Sequence, residues 1–176
     1  MIKLIILDVD GVMTSGKKLY DLKGDCIAKE YCDRDFTAIK QMKSLGLNVC
    51  LLSSDENVNK AMAKKRNIDF FYSRGSSGSI NKVSFLPELQ KKYDCTSDEI
   101  VYIGDDLFDL DIIQAVKYSY CPDGSEKSVR ESVTKILPCK SGDHVVQCLY
   151  EELLDEGFIK QASVEDVKRL DSKEAL

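Results

Sequence analysis

The chain lacks several features that would have assigned its class at once. No two of its seven cysteines form a C-x-x-C pair and their number is odd, so neither a disulfide framework nor a zinc site is indicated. Cys50 lies in an apolar strand-like run and Cys148 on an apolar helix face, where both read as small core residues. A reducing cytoplasm suits such unpaired thiols. Histidine occurs once, at His144, which is expected to cap or flank the last helix and receives no catalytic role. No apolar run approaches the ~20 residues of a membrane span, and Met1–Leu7 meets Asp8 too early to be a signal peptide. There is no internal repeat and no low-complexity tract. Positive charge is not in surplus: 25 Lys and Arg face 30 Asp and Glu, for a net charge of -5, which argues against a nucleic-acid partner. If the partner is a small anion, the site must supply local positive charge from a metal or an isolated lysine.

What is present is an alternation. The 176 residues, 43% apolar, are one domain's worth and enough to bury a core without staples. Short β-branched runs at Leu4–Leu7, Asn48–Leu52, Phe70–Tyr72, Ile100–Ile103, Tyr118–Cys121 and, more weakly, Lys135–Leu137 predict strands. Between them, Phe36, Ile39, Met42 and Leu45 recur at helical spacing with Gly46 as the stop. Further helices are predicted over Asn57–Arg66, Ile80–Tyr93 (kinked or divided by Pro87), Leu107–Val116 and His144–Leu154. The fold class is therefore α/β, a Rossmann-like doubly wound parallel sheet with helices on both faces. One segment interrupts the pattern: Lys17–Tyr20 and Asp25–Tyr31 flank a Leu22-Lys23-Gly24 turn and read as a projecting hairpin flap. Alternation puts Cys26, Ala28 and Glu30 on one of its faces and Ile27, Lys29 and Tyr31 on the other. The domain is expected to span 1–154. The charged tail, 155–176, is either mobile or holds a short helix capped at Ser163-Val164-Glu165-Asp166.

Parallel sheets gather chemistry beyond the carboxyl ends of their strands. Asp8, Ser53 and Asp105 all fall there. Asp8 and Asp10 are held close by a turn that Gly11 permits, and two ionised acids so placed call for a cation. Asp105, Asp106, Asp109 and Asp111 follow Gly104 within seven positions, more acid than a helix cap needs, which points to a hard cation. An EF-hand is excluded: a strand precedes Asp8, and the twelfth loop position is Leu19 rather than Glu. Ser53 and Ser54 at a helix start form a natural phosphate cradle, with simple capping as the alternative. Lys82, near a predicted helix start, gains nothing from the dipole.

The order acid pair, Ser, Lys, acid cluster resembles the haloacid dehalogenase-like superfamily of aspartate-nucleophile phosphatases. Asp8-Val9-Asp10-Gly11-Val12-Met13-Thr14, Ser53, Lys82 and Gly104-Asp105-Asp106-Leu107-Phe108-Asp109 match its four motifs over about residues 2–154. The spacing leaves no room for a large cap domain. Within the superfamily the chain is similar to a capless branch of 3-deoxy-D-manno-octulosonate 8-phosphate phosphatases, nonulosonate phosphatases and the C-terminal domains of some acylneuraminate cytidylyltransferases. The resemblance implies a cytoplasmic, Mg²⁺-dependent enzyme acting on a small-molecule sugar phosphate. Asp8 would be the nucleophile and Asp10 the acid and base. Asp8, Asp10, Asp105 and Asp106 would hold the metal, and Asp109 would orient neighbouring groups. Gly11, Thr14, Ser53, Ser54 and Lys82 would bind phosphate, with Asp55 reaching the sugar. It further implies a homotetramer in which hairpins close neighbouring sites. Two departures concern the substrate: Arg34-Asp35-Phe36 replaces Arg-Asp-Gly, and Lys140-Ser141-Gly142-Asp143 replaces a Gly-Gly-Arg-Gly stretch. The competing readings are a receiver-like phosphoacceptor, whose aspartate would follow the third strand, and a non-catalytic oligomerisation module.

Overall fold

The strand that carries Asp8 is the most enclosed part of the molecule. In the computed structural model, which describes residues 1–75 and 78–174, β1 (Leu4–Leu7) is buried throughout and pairs in parallel with β4 (Asn48–Ser53) on one side and β6 (Ile100–Ile103) on the other. With β5 (Asp69–Tyr72), β7 (Tyr118–Asp123) and β8 (Lys135–Lys140) these form one six-stranded sheet in the order β5-β4-β1-β6-β7-β8, every pairing parallel. The period of two sorts side chains onto two faces. Ile5, Leu7, Val49, Leu51, Val101 and Ile103 pack on one side, and Leu4, Ile6, Cys50, Leu52, Ile100 and Tyr102 on the other. Both faces are covered, which is why the central positions of β1, β4 and β6 are apolar one after another.

α1 (Asp33–Ser44) and α6 (Val145–Asp155) cover the first face through Phe36, Ile39, Met42, Val146, Leu149 and Leu153. α3 (Leu86–Tyr93) and α4 (Leu110–Ala115) cover the second through Leu86, Leu89, Ile112 and Ile113. α2 (Asn57–Lys65) follows β4, and a single turn, α5 (Lys127–Arg130), precedes β8. Gly46 ends α1 at φ +85°, with its N–H donating to the Lys43 carbonyl.

Several expected element bounds are corrected. The helix expected from Ile80 starts later: Ile80 bridges Arg74, a 3₁₀ turn spans Val83–Phe85, and α3 follows with Pro87 in its first turn. An N–H there would be unsatisfied anyway, so proline begins the helix instead of kinking it. The helix expected over Leu107–Val116 likewise splits into a 3₁₀ turn at Leu107–Asp109 and then α4. β8 continues past Leu137 to Lys140 and includes Pro138, which a sheet edge tolerates.

The hairpin is short, β2 (Leu19–Tyr20) against β3 (Cys26–Ala28). Its predicted facing does not carry through: Ile27 is exposed, whereas Lys29 and Tyr31 turn inward past the end of β3. Cys148 is half-buried rather than core. Beyond α6, Ala162 is buried with its N–H on the Tyr150 hydroxyl, and Ser163 caps α7 (Val164–Glu174), which lies against α1. Among the described residues, no helix is long and apolar enough to cross a membrane.

Candidate active site

Asp8 leaves β1 with its N–H on the Ile103 carbonyl, 3.0 Å, so the sheet register itself aims it. The chain then winds tightly: the N–H groups of Met13 and Thr14 both reach the Val9 carbonyl, at 2.9 and 3.0 Å. Gly11 sits in this loop at φ +98°, where a Cβ would lie 1.9 Å from Asp105 Oδ2. Only glycine lets the acid after β6 approach the acid after β1. Gly104 serves the same end, because a Cβ there would lie 2.4 Å from Asp109 Cγ.

Asp109 organises this half of the site. Its Oδ2 accepts the N–H groups of Asp105 and Asp106 at 2.9 and 3.0 Å, and its Oδ1 accepts the Tyr102 hydroxyl and Lys82 Nζ, both at 2.5 Å. Lys82 is buried and reaches Asp8 Oδ1 at 2.7 Å. Burial works against the Lys82 charge, but the carboxylates of Asp8 and Asp109 outweigh it and hold the ammonium firmly protonated. Asp8 is pushed well up from the ordinary carboxylate range by burial, with Lys82 opposing. Asp105 is pushed up by burial and then by the charge of Asp8.

Carboxylate oxygens of Asp8, Asp105 and Asp109 lie within 4.8 Å of one another, and Asp105 Oδ1 is buried without a hydrogen-bond partner. A divalent cation fits this arrangement. The donors are hard oxygens, burial beside one another makes two of the acids resist ionisation, and one oxygen has nothing else to bind. Both oxygens of Asp109 are already committed, so Asp8 and Asp105 are the side chains that could hold the ion. Asp106 does not join them. Its exposed carboxylate accepts the Phe108 N–H at 2.9 Å and caps the 3₁₀ turn. The cap explains one of the four acids after all.

The other half gathers around Asp10. Its Oδ1 takes the Thr14 hydroxyl at 3.3 Å, and its Oδ2 takes Lys29 Nζ at 2.8 Å and Asn59 Nδ2 at 3.1 Å. Ser53 is buried at the end of β4, accepting Asn59 Nδ2 at 3.0 Å and the Asp55 N–H at 3.2 Å. Ser54 is half-buried at the same turn. Asp55 Oδ2 is clamped between Lys18 at 2.7 Å and Lys29 at 2.8 Å. These lysine bonds draw its carboxyl below the usual range against the opposing pull of burial.

The structure thus brings together Asp8, Asp10, Gly11, Thr14, Ser53, Asp55, Lys82, Asp105 and Asp109, and turns Asp106 away. Sequence reasoning missed Lys18, Lys29, Asn59 and Tyr102. Tyr102 had a signal, since a hydroxyl at the centre of a buried strand needs a partner. Lys29 had a fainter one, a lysine beside Tyr31 on one side of a flap. A groove of about 440 Å³ lined by Phe36, Ile39, Lys40, Arg66 and Asp171 lies elsewhere, beside α1 and α7.

Residues 55–149 match the model of a family described as haloacid dehalogenase-like hydrolase. Over 141 residues, 80% of this chain and 76% of the other, the sequence is 30% identical to 3-deoxy-D-manno-octulosonate 8-phosphate phosphatase of Haemophilus influenzae. The solved structure of the cobalt-bound form of the Haemophilus influenzae phosphatase superimposes with a TM-score of 0.79 at 29% identity, covering 88% of each chain. A hydrolase of the same superfamily, subfamily III A, from Legionella pneumophila gives 0.83 at 26% identity, covering 98% of this chain and 90% of that one.

Proposed function

Because the chain belongs to the haloacid dehalogenase-like hydrolases, we propose that it is a Mg²⁺-dependent phosphatase of a 3-deoxy-2-ulosonate phosphate, an octulosonate 8-phosphate or nonulosonate 9-phosphate. The observation that carries this reading is the buried Asp8, set 2.7 Å from Lys82 and beside an Asp105 oxygen that has no partner. A nucleophile, a cation for the phosphoryl oxygens and a metal ligand stand within one small volume.

Asp8 and Asp105, with the backbone carbonyl of Asp10, would hold the ion, whose charge offsets the repulsion between Asp8 and the phosphate dianion. An Asp8 oxygen attacks phosphorus and the bond from phosphorus to the sugar oxygen breaks, leaving an aspartyl phosphate. Asp10 gives its proton to the departing oxygen and then takes one from the water that attacks the same phosphorus. That second attack breaks the bond to Asp8 and frees inorganic phosphate. Lys82, oriented by Asp109, stabilises the charge spread over the phosphoryl oxygens. Gly11, Thr14, Ser53 and Ser54 line the phosphate side, and Asp55 faces the sugar.

The hairpin exposes Leu19, Tyr20, Leu22 and Ile27, an apolar strip suited to contact between copies in a homotetramer. Free thiols throughout the chain suit a cytoplasmic setting.

The test is phosphate release across octulosonate and nonulosonate phosphates with Mg²⁺, with EDTA, and with Asp8→Asn. Turnover of one sugar-acid phosphate well above the rest, abolished by EDTA and reduced about 10⁴-fold or more by Asp8→Asn, supports the reading. Uniformly poor turnover removes the sugar-acid assignment, and parental turnover by Asp8→Asn removes the nucleophile. Stable phosphorylation by a partner kinase without turnover would favour the receiver alternative.

A further inference from the structure

Lys29 is the most completely enclosed cation of the site. Its side chain has no exposed surface, although it enters from a hairpin whose strands are mostly solvent-facing. Its ammonium meets Asp10 Oδ2, Asp55 Oδ2 and Asn59 Oδ1, each at 2.8 Å, so its three N–H groups have three acceptors. Enclosing a lysine this fully is costly unless every donor is matched, and here the matching is complete.

The partners are themselves fixed. Asn59 Oδ1 also accepts the Tyr31 hydroxyl at 2.8 Å, which sets the amide so that its nitrogen must face Asp10 Oδ2 and Ser53 Oγ. A flipped amide would point N–H groups at an ammonium and a hydroxyl. Asp10 is therefore gripped chiefly through one oxygen. Oδ2 receives Lys29 and Asn59, with Lys18 Nζ a further 3.7 Å away, whereas Oδ1 has the long 3.3 Å contact from Thr14.

We infer that Lys29 is a positioning residue that pins Oδ2 of Asp10, so that Oδ1 is the oxygen that passes the proton to and from the reacting groups. The inference rests on the phosphatase reading above and deepens it. Lys29 touches neither phosphorus nor the sugar oxygen in this scheme; it acts through Asp10. The hairpin then has a task within its own chain, apart from any contact it makes with a neighbour.

Leaving-group dependence separates this role from a structural one. An alkoxide needs a proton to depart, whereas p-nitrophenolate leaves without one, so a badly held acid harms only the first. Lys29→Met, Lys29→Gln and Tyr31→Phe are compared with the parent by kcat/KM on a sugar-alcohol phosphate and on p-nitrophenyl phosphate with Mg²⁺, alongside thermal melts. Both Lys29 variants should lose about 30-fold or more on the alkyl ester and less than about 3-fold on the aryl ester. Tyr31→Phe, which loosens Asn59 without touching Lys29, should lose about 3- to 10-fold on the alkyl ester alone. Equal losses on both esters, or none on either, overturn the inference while leaving the phosphatase reading intact. A parent that releases phosphate from neither ester overturns that reading, and this inference with it. Should the Lys29 variants fail to melt cooperatively, the Tyr31→Phe ratio decides.

Discussion

The two halves of the site, one around Asp8 and one around Asp10, use the same materials and assemble them differently. Around Asp8, every acid comes from the turn after a strand, Asp8 after β1 and Asp105 and Asp109 after β6, and Lys82 enters from just ahead of α3. Three acids there face one lysine; burial, and after it the charge of the neighbouring acids, drives Asp8 and Asp105 up from the carboxylate range. Around Asp10, two acids, Asp10 and Asp55, face two lysines, Lys18 and Lys29, both delivered by the hairpin. The first half is short of one divalent cation; the second is already balanced. A site that must draw in a metal and a phosphate leaves charge uncompensated where they bind and neutralises the ground beside it.

The sharpest way to break this contrast is Lys82→Met. It removes the sole cation of the metal half and leaves Asp8 and Asp109 buried without it. Phosphate release should fall about 10²- to 10³-fold, as for loss of one transition-state donor. Stability measured by urea titration should drop by about 3–5 kcal/mol, as when a buried pair loses one partner. Unchanged stability would show that the acids ionise little without the lysine.

Gly11→Ala tests the close approach of the two acidic turns. A methyl group there meets Asp105 Oδ2, so the ligand must move. Mg²⁺ affinity by calorimetric titration should weaken about 10- to 100-fold, a loss of the size seen when ligand-orienting groups are disturbed. An unchanged affinity would mean that Asp105 is not held in place by the loop.

The smallest effect belongs to a buried acid outside both halves. Asp35 is fully enclosed; burial pushes it up to about 6, while the N–H groups of Val146 and Gln147, at 2.8 and 3.1 Å from Oδ1, pull the other way. Its folded-state pKa lies above that of the unfolded chain. The stability it contributes is therefore full below about pH 4 and is lost as pH rises through about 6. Asn keeps the acceptor and carries no charge. Asp35→Asn should match the parent near pH 4 and exceed it by about 1–3 kcal/mol at pH 7.5 in chemical denaturation. A constant offset across that range would rule out the titration.

How much of this was legible follows the same division. β1, β4 and β6 announce themselves because both faces of a parallel sheet are covered, so Leu4–Leu7, Val49–Leu52 and Ile100–Ile103 are unbroken apolar runs. The acids follow those runs directly, and a short turn leaves them few places to point. Within the turn, the choice between Asp106 and Asp109 as the inward acid was not readable. It depends on a 3₁₀ turn whose capping box uses both residues. The Asp10 half was harder for a different reason. Lys29 reaches Asp10 only because the chain leaves β3 after Ala28 and bends, a long-range event that no alternation encodes. Asn59 looked like an ordinary helix residue, and its value lies in four partners drawn from β1's loop, β4 and the segment after the hairpin.

Gly142 ties the far end of the chain to its beginning. Its N–H donates to the Val12 carbonyl at 3.0 Å, and a Cβ there would sit 2.4 Å from the Ser15 nitrogen. The loop that carries Asp10 is thus braced by a residue made some 130 positions after it. During synthesis that brace arrives only after every strand of the sheet has been made. A nascent fragment ending before β8 would carry every acid of the metal half and still lack the prop beneath its first loop.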